Sequence, residues 1–291
     1  MAGLAHFSHL RANLNRPSIS LTPSAHRRST IVASVAQKLS YQDSIHLDID
    51  THLKKAIPIR EPISVFEPMH YLTFAPPKTT SSVLCVAACE LVGGNREDAI
   101  VVGSAIHVMN AAIYVHEHLL LKGVKEPESR TPYRFGQRIE LLTSDGMMPF
   151  GLELLAKSMD LASNNADKIL RIIIEITRAM GAEGMVDCVT YKNCNGQSSR
   201  QLHGCGAACG AILGGGSEEE IGRLRKYGVY VGKIEGVLSE KDGNGGGKME
   251  LIEKWRALAI MELEYFDGKK IEQISSLMKA GSTLKYAYPY T

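Results

Sequence analysis

Two cysteine pairs are spaced so that each could present both thiols on one side of a helix. Cys85 and Cys89 are four residues apart, as are Cys205 and Cys209, with Ala and Gly beside them. Residues four apart share a helix face, so each pair forms a small, soft stripe. Three roles are open: contact with a partner's helix, which we favour, ordinary core packing, or metal and redox chemistry. A four-cysteine metal site would require the two helices to meet.

The run His116-Glu117-His118 also contains metal-binding residue types. On a helix, however, residues two apart point in different directions, so the two imidazoles make a poor chelate. We therefore interpret the run as a polar surface rather than a metal site.

A glycine-rich stretch from Asp242 to Lys248 resembles a phosphate-binding loop only superficially. Such a loop needs Ser or Thr directly after the lysine, to bind the metal, and here Met249 follows. The stretch has almost no side chains to pack, and we predict a flexible connection between helices.

Composition and charge exclude several classes of protein. The net charge of the 291 residues is only +2, and no Lys/Arg cluster is interleaved with aromatic residues, so no nucleic-acid partner is expected. No segment approaches the ~18 consecutive apolar residues of a membrane span, and we predict no transmembrane segment. The six cysteines, without a secretory signal, do not suggest a disulfide framework.

The N-terminal segment differs from the rest of the chain. No Asp or Glu precedes Asp43, whereas Ser and Arg recur. This composition is typical of transit peptides, and the segment lacks the apolar core of a secretory signal. We predict a disordered plastid transit peptide over residues 1–41 and a single all-α domain over residues 42–291.

From Thr79 onward the sequence pattern is mostly helical. Ser217-Glu-Glu-Glu220 is a capping box that predicts a helix start. The apolar residues between Ile169 and Ile176 cover more than one helix face and predict a central helix that is buried on several sides. Such a helix indicates a thick all-α domain.

Several segments resemble plant geranylgeranyl diphosphate synthases, which belong to the trans-prenyl diphosphate synthase family. The clearest runs from Val83 to Gly94, and four more follow in the family's order: residues 109–116, 135–145, 181–184 and 210–226. The resemblance covers about residues 45–285. It implies the isoprenoid synthase fold, a bundle of long helices around a central cavity.

The resemblance also implies that the metal-binding motifs are eroded. Active members bind Mg²⁺ through two facing aspartate-rich motifs. At the first motif this chain has Glu117 and His118, and at the second it has Ser239 and Glu240. Of the family's basic diphosphate-binding segment only Lys78 remains. It is either a vestigial diphosphate contact or, as we favour, a solvated lysine.

The second cysteine pair, together with the eroded motifs, resembles the small subunits that associate with plastid geranylgeranyl diphosphate synthases. This resemblance implies a non-catalytic chloroplast protein, in the stroma or peripheral to thylakoids through its partners, that forms a heterodimer or larger hetero-oligomer with an active synthase. The partner would bind Mg²⁺. Two types of small subunit are similar to this chain: the first, which it resembles more, implies a product shifted toward geranyl diphosphate, and the second recruits the synthase to other complexes. The residues alone also allow a mere rise in geranylgeranyl output. Two alternatives stay open: a weak prenyltransferase that uses Glu117, Glu240 and Asp242, and a thiol-based redox protein.

Overall fold

The computed structural model describes residues 40–125, 134–160, 164–181, 198–239, 245–268 and 270–280. These residues belong to one unit, Leu39–Thr291. Ser40 caps the first helix by accepting a hydrogen bond from the Asp43 amide, and the Tyr41 hydroxyl donates to Glu90. Apart from these two positions, the predicted transit peptide lies outside the described residues and stays a prediction.

The described residues form helices and contain no strand, which confirms the predicted all-α class. The helices are α1 (Tyr41–Ala56), α2 (Ile63–Phe74), α3 (Thr80–Leu91), α4 (Arg96–Lys125), α5 (Gln137–Lys157), α6 (Ala166–Met180), α7 (Ser198–Gly214), α8 (Glu218–Ser239), α9 (Gly245–Leu263) and α10 (Lys270–Ala280). Helix α8 begins as predicted, because the Ser217 hydroxyl accepts from the Glu220 amide and Glu220 accepts from the Ser217 amide.

Helices α3 and α7 form the centre of the domain and approach so closely that one side of their contact consists of glycine. A Cβ atom on Gly206 would lie 2.3 Å from the Ser81 carbonyl oxygen, and one on Gly210 would lie 1.9 Å from the Cys85 carbonyl oxygen. Moving four residues forward on α7 moves the contact four residues forward on α3, so the two helices run parallel. The contact, here called the α3–α7 seam, consists of Ser81, Cys85 and Cys89 facing Gly206, Gly210 and Gly214.

The parallel arrangement brings the carboxyl ends of α3 and α7 to the same end of the domain. Lys270 donates to the Glu90 carbonyl oxygen at 2.7 Å, and Lys168 donates to the Leu213 carbonyl oxygen at 3.1 Å. Ammonium groups at these positions satisfy free carbonyls and interact favourably with both helix dipoles.

The prediction that the Ile-rich helix is buried on several sides was wrong. In α6, Ile169, Ile172 and Ile176 are buried, whereas Leu170 and Ile174 are 53% and 43% exposed. The central, almost fully buried helix is α7 instead, because its small residues allow α3 to approach. The chain buries one face of α6, and the opposite face exposes apolar side chains to solvent.

Helix α4 spans 30 residues and packs against α1, α3, α5 and α7. Among the described residues its segment Arg96–Glu117 is the one helix long and apolar enough to cross a membrane. The chain itself buries 83% of that apolar stretch. This burial is what a core helix requires, so the length of α4 reflects its position in the bundle.

Candidate functional site

The structure places all four predicted interface cysteines inside the chain as free thiols. Cys85 and Cys89 lie on the α3 side of the seam. Cys205 and Cys209 precede seam glycines on α7, and their Sγ atoms lie 3.9 Å apart. The two helices that carry the pairs pack against each other within one chain, but the four thiols do not form a metal-binding cluster.

Burial makes Cys85, Cys89 and Cys209 poor nucleophiles. It raises the pKa of Cys85 and of Cys209, and it raises the pKa of Cys89 to about 12, with the Asp98 and Glu90 carboxylates contributing. A thiol with a raised pKa stays protonated at neutral pH and reacts slowly. The geometry therefore favours packing over redox chemistry.

The predicted direct role of the cysteines in a partner interface needs correction. A side chain with almost no exposed surface cannot contact a second chain unless α3 and α7 separate. Such a separation would break the closest helix contact in the described structure. The small residues that suggested an intermolecular contact instead let two helices of the same chain approach.

At the first eroded motif, α4 lies beside α5. The Nε2 atom of His116 lies 2.9 Å from Oδ1 of Asp145, and this pair joins the two helices. Glu117 follows on α4 and is partly buried. The side chain of His118 lies outside the part of the structure that is described.

The second eroded motif cannot be placed in the same way, since the side chain of Ser239 and all of Glu240 lie outside the described residues. Among the residues that are described, no three His, Cys, Asp or Glu side chains cluster closely enough to hold a metal ion. The absence of an Mg²⁺ site in this chain stays a prediction.

Lys78 lies in the connection between α2 and α3, where its ammonium group pairs with a carboxylate of the same chain. Nζ of Lys78 lies 2.5 Å from Oδ2 of Asp50 on α1, and the two side chains are 42% and 19% exposed. A diphosphate at Lys78 would have to compete with Asp50.

A buried polar network that we did not predict joins three helices. Nε2 of His203 on α7 lies 2.8 Å from Oε2 of Glu235 on α8, and the Thr80 hydroxyl on α3 donates to the other carboxylate oxygen. Burial raises the pKa of Glu235, but the charge of His203 and the hydrogen bonds from His203 and Thr80 outweigh it, so that this pKa is lowered. Glu235 is therefore an ionised acceptor that ties α3, α7 and α8 together.

The sequence contained a signal for this network. Glu235 follows Tyr227 and Val231 in steps of four, so it lies on the buried face of α8. A carboxylate on a buried face needs partners, because an unpaired buried charge is costly.

Comparison with known proteins identifies this fold first as that of the trans-prenyl diphosphate synthases. The crystal structure of the geranyl diphosphate synthase small subunit from Antirrhinum majus matches with a TM-score of 0.72 and 48% identity, covering 82% of this chain and 97% of that one. A mint deletion mutant of heterotetrameric geranyl pyrophosphate synthase matches with a TM-score of 0.72 and 45% identity, covering 82% of this chain and 98% of that one.

The sequence comparison assigns the chain to one family within this class. The chain is 39% identical over 259 residues to a heterodimeric geranylgeranyl pyrophosphate synthase small subunit 2, chloroplastic, from Cannabis sativa, covering 82% of this chain and 90% of the relative. No protein-family model matches. The chain belongs to the family of small subunits of heteromeric geranyl and geranylgeranyl diphosphate synthases.

Proposed function

We propose that this chain is a non-catalytic regulatory subunit of a chloroplast prenyl diphosphate synthase. It pairs with an active geranylgeranyl diphosphate synthase as a heterodimer or larger hetero-oligomer. One observation carries the proposal: the chain aligns with 90% of the length of a heterodimeric small subunit at 39% identity. The relative's name also supports the chloroplast.

The identity of the motif residues supports the absence of catalysis in the chain alone. Mg²⁺ prefers oxygen ligands, and His118 and Ser239 replace carboxylates that active family members use. His116, beside the first motif, is held by Asp145. Each metal or charge contact contributes several kcal/mol to the transition state, and each ~1.4 kcal/mol is tenfold in rate. Mg²⁺ would be bound by the catalytic partner.

We propose the outer face of α6 as a surface that binds that partner. Leu170 and Ile174 lie one helical turn apart on the exposed side, opposite the three buried isoleucines. Leu142 is likewise exposed on the neighbouring α5. A catalytic subunit of the same fold could cover these side chains and remove apolar surface from water.

The direction of the regulation follows from the relatives as a proposal. Structural alignments give 48% and 45% identity to proteins of geranyl diphosphate synthases, and the sequence alignment gives 39% to a small subunit of a geranylgeranyl enzyme. We therefore propose that the partner's product shifts toward geranyl diphosphate.

Two assays test the proposal. The purified chain, given Mg²⁺, isopentenyl diphosphate and an allylic diphosphate, should form no product. Mixed with an active geranylgeranyl diphosphate synthase, it should form a complex whose products are shorter. Turnover by the chain alone that Glu117→Gln abolishes would instead establish a weak prenyltransferase. A complex that makes only more geranylgeranyl diphosphate would keep the regulatory role and overturn the product shift.

A further inference from the structure

The connection between α2 and α3 has several features of an anion-binding site. Lys78 and Thr79 immediately precede α3, whose positive dipole end and first-turn amides favour negative charge. The Thr79 hydroxyl lies 2.9 Å from the Ser81 hydroxyl and makes no capping bond to the helix. The region formed by Lys78, Thr79, Asp50, His107 and Asn110 is called the α2–α3 corner below.

Two buried polar atoms at this corner lack a hydrogen-bond partner. They are Nδ1 of His107 and Oδ1 of Asn110, which are three residues apart on one face of α4. His107 binds the Thr73 carbonyl oxygen through Nε2 at 3.0 Å, and the Asn110 amide donates to Thr79 at 3.2 Å and to Ser81. Unpaired buried polar atoms are rare and indicate a missing hydrogen-bonding group.

The charged oxygens of a phosphate group would accept from Lys78, whose side chain is 42% exposed. The two unpaired atoms have almost no exposed surface, so they lie behind the corner and not at its accessible face. The anion that the structure shows at Lys78 is, however, the chain's own Asp50 carboxylate, 2.5 Å away. Asp50 is only 19% exposed, so the chain holds it at the corner.

We propose that Asp50 is an internal counter-ion that occupies Lys78 and keeps the α2–α3 corner closed to phosphate and diphosphate groups. The carboxylate neutralises the lysine and repels any further anion. The inference does not depend on the proposed function, because it concerns this chain alone.

Calorimetric titration of the full chain with inorganic diphosphate, without Mg²⁺, tests this inference. Asp50→Asn keeps the size of the side chain and removes its charge, so the dissociation constant should fall about tenfold, since one unit-charge repulsion at short range is removed and one lysine is freed. Asp43→Asn removes a charge from the same helix without freeing a lysine, and it should bind diphosphate as the parent does.

The double variant Asp50→Asn with Lys78→Gln should return to the parent affinity, with circular dichroism confirming that each variant is folded. Three results would overturn the inference. One is parent-like affinity in Asp50→Asn, another is equal tightening in Asp43→Asn, and the third is tight binding that survives the loss of Lys78.

Discussion

The α3–α7 seam and the outer face of α6 both consist of small or apolar residues, but only the seam is buried within the chain. Glycine and cysteine let α7 lie directly against α3, and the contact leaves no surface for a second protein. Helix α6 carries larger side chains on both faces, and only the face with Ile169, Ile172 and Ile176 is buried. Small residues thus mark a contact within the chain, and the branched residues left exposed mark where a partner could bind.

The strongest test of the seam is a substitution that adds a single methyl group to it. Gly210→Ala would place a Cβ atom 1.9 Å from a backbone oxygen of α3, so the helices would have to separate. We expect the free energy of unfolding to fall by about 3 kcal/mol or more, measured by denaturant titration. Gly222→Ala on α8, where a Cβ atom meets nothing within 4 Å, is the control and should be neutral or stabilising by about 0.5–1 kcal/mol. Equal effects in the two variants would contradict the close approach.

Acid should destabilise the domain through His46, which is buried on α1. Burial, together with the charges of Lys78 and His107 and against those of Asp50 and Asp43, lowers the pKa of His46 to about 4. The unfolded chain takes up this proton near pH 6.5 and the folded chain only near pH 4, so stability is lost as the pH falls between these values. The loss attributable to His46 is about 3 kcal/mol.

The test compares the parent with His46→Gln in denaturant titrations at several pH values. The variant should lose less stability between pH 6.5 and 4 than the parent does. Parallel pH profiles would show that His46 is not buried in the neutral form.

Larger side chains at the second cysteine pair should destabilise the fold of the chain itself, and any effect on partner binding should be secondary. Leucine at both Cys205 and Cys209 cannot fit beside the seam glycines, and we expect a loss of about 1–3 kcal/mol in the free energy of unfolding. Serine at both sites should have a smaller effect, because it is close to cysteine in size. If the leucine variant keeps its thermal stability but binds the synthase more weakly, the cysteines belong to the partner interface after all.

The sequence predicted the all-α class, the start of α8 and the family, because capping residues and ordered family segments are local signals. It did not predict which helix is central, since Ile-rich and Gly-rich helices can each be buried and only the close approach of Gly210 to Cys85 decides between them. The contact between His203 and Glu235 was not predicted either, because the two residues are 32 positions apart in sequence. The pairing of Lys78 with Asp50 could not be predicted from the sequence, because it depends on how α1 packs.

Binding of an active geranylgeranyl diphosphate synthase to surface variants tests most directly that the chain works by pairing. Leu170→Asp with Ile174→Asp places two charges on the outer face of α6, and the dissociation constant, measured by titration with sedimentation to check complex mass, should rise at least tenfold. Leu251→Asp changes a comparably exposed residue, 44% against 43% for Ile174, on α9 and should bind as the parent does. A folded α6 variant that binds the synthase as tightly as the parent would contradict the account.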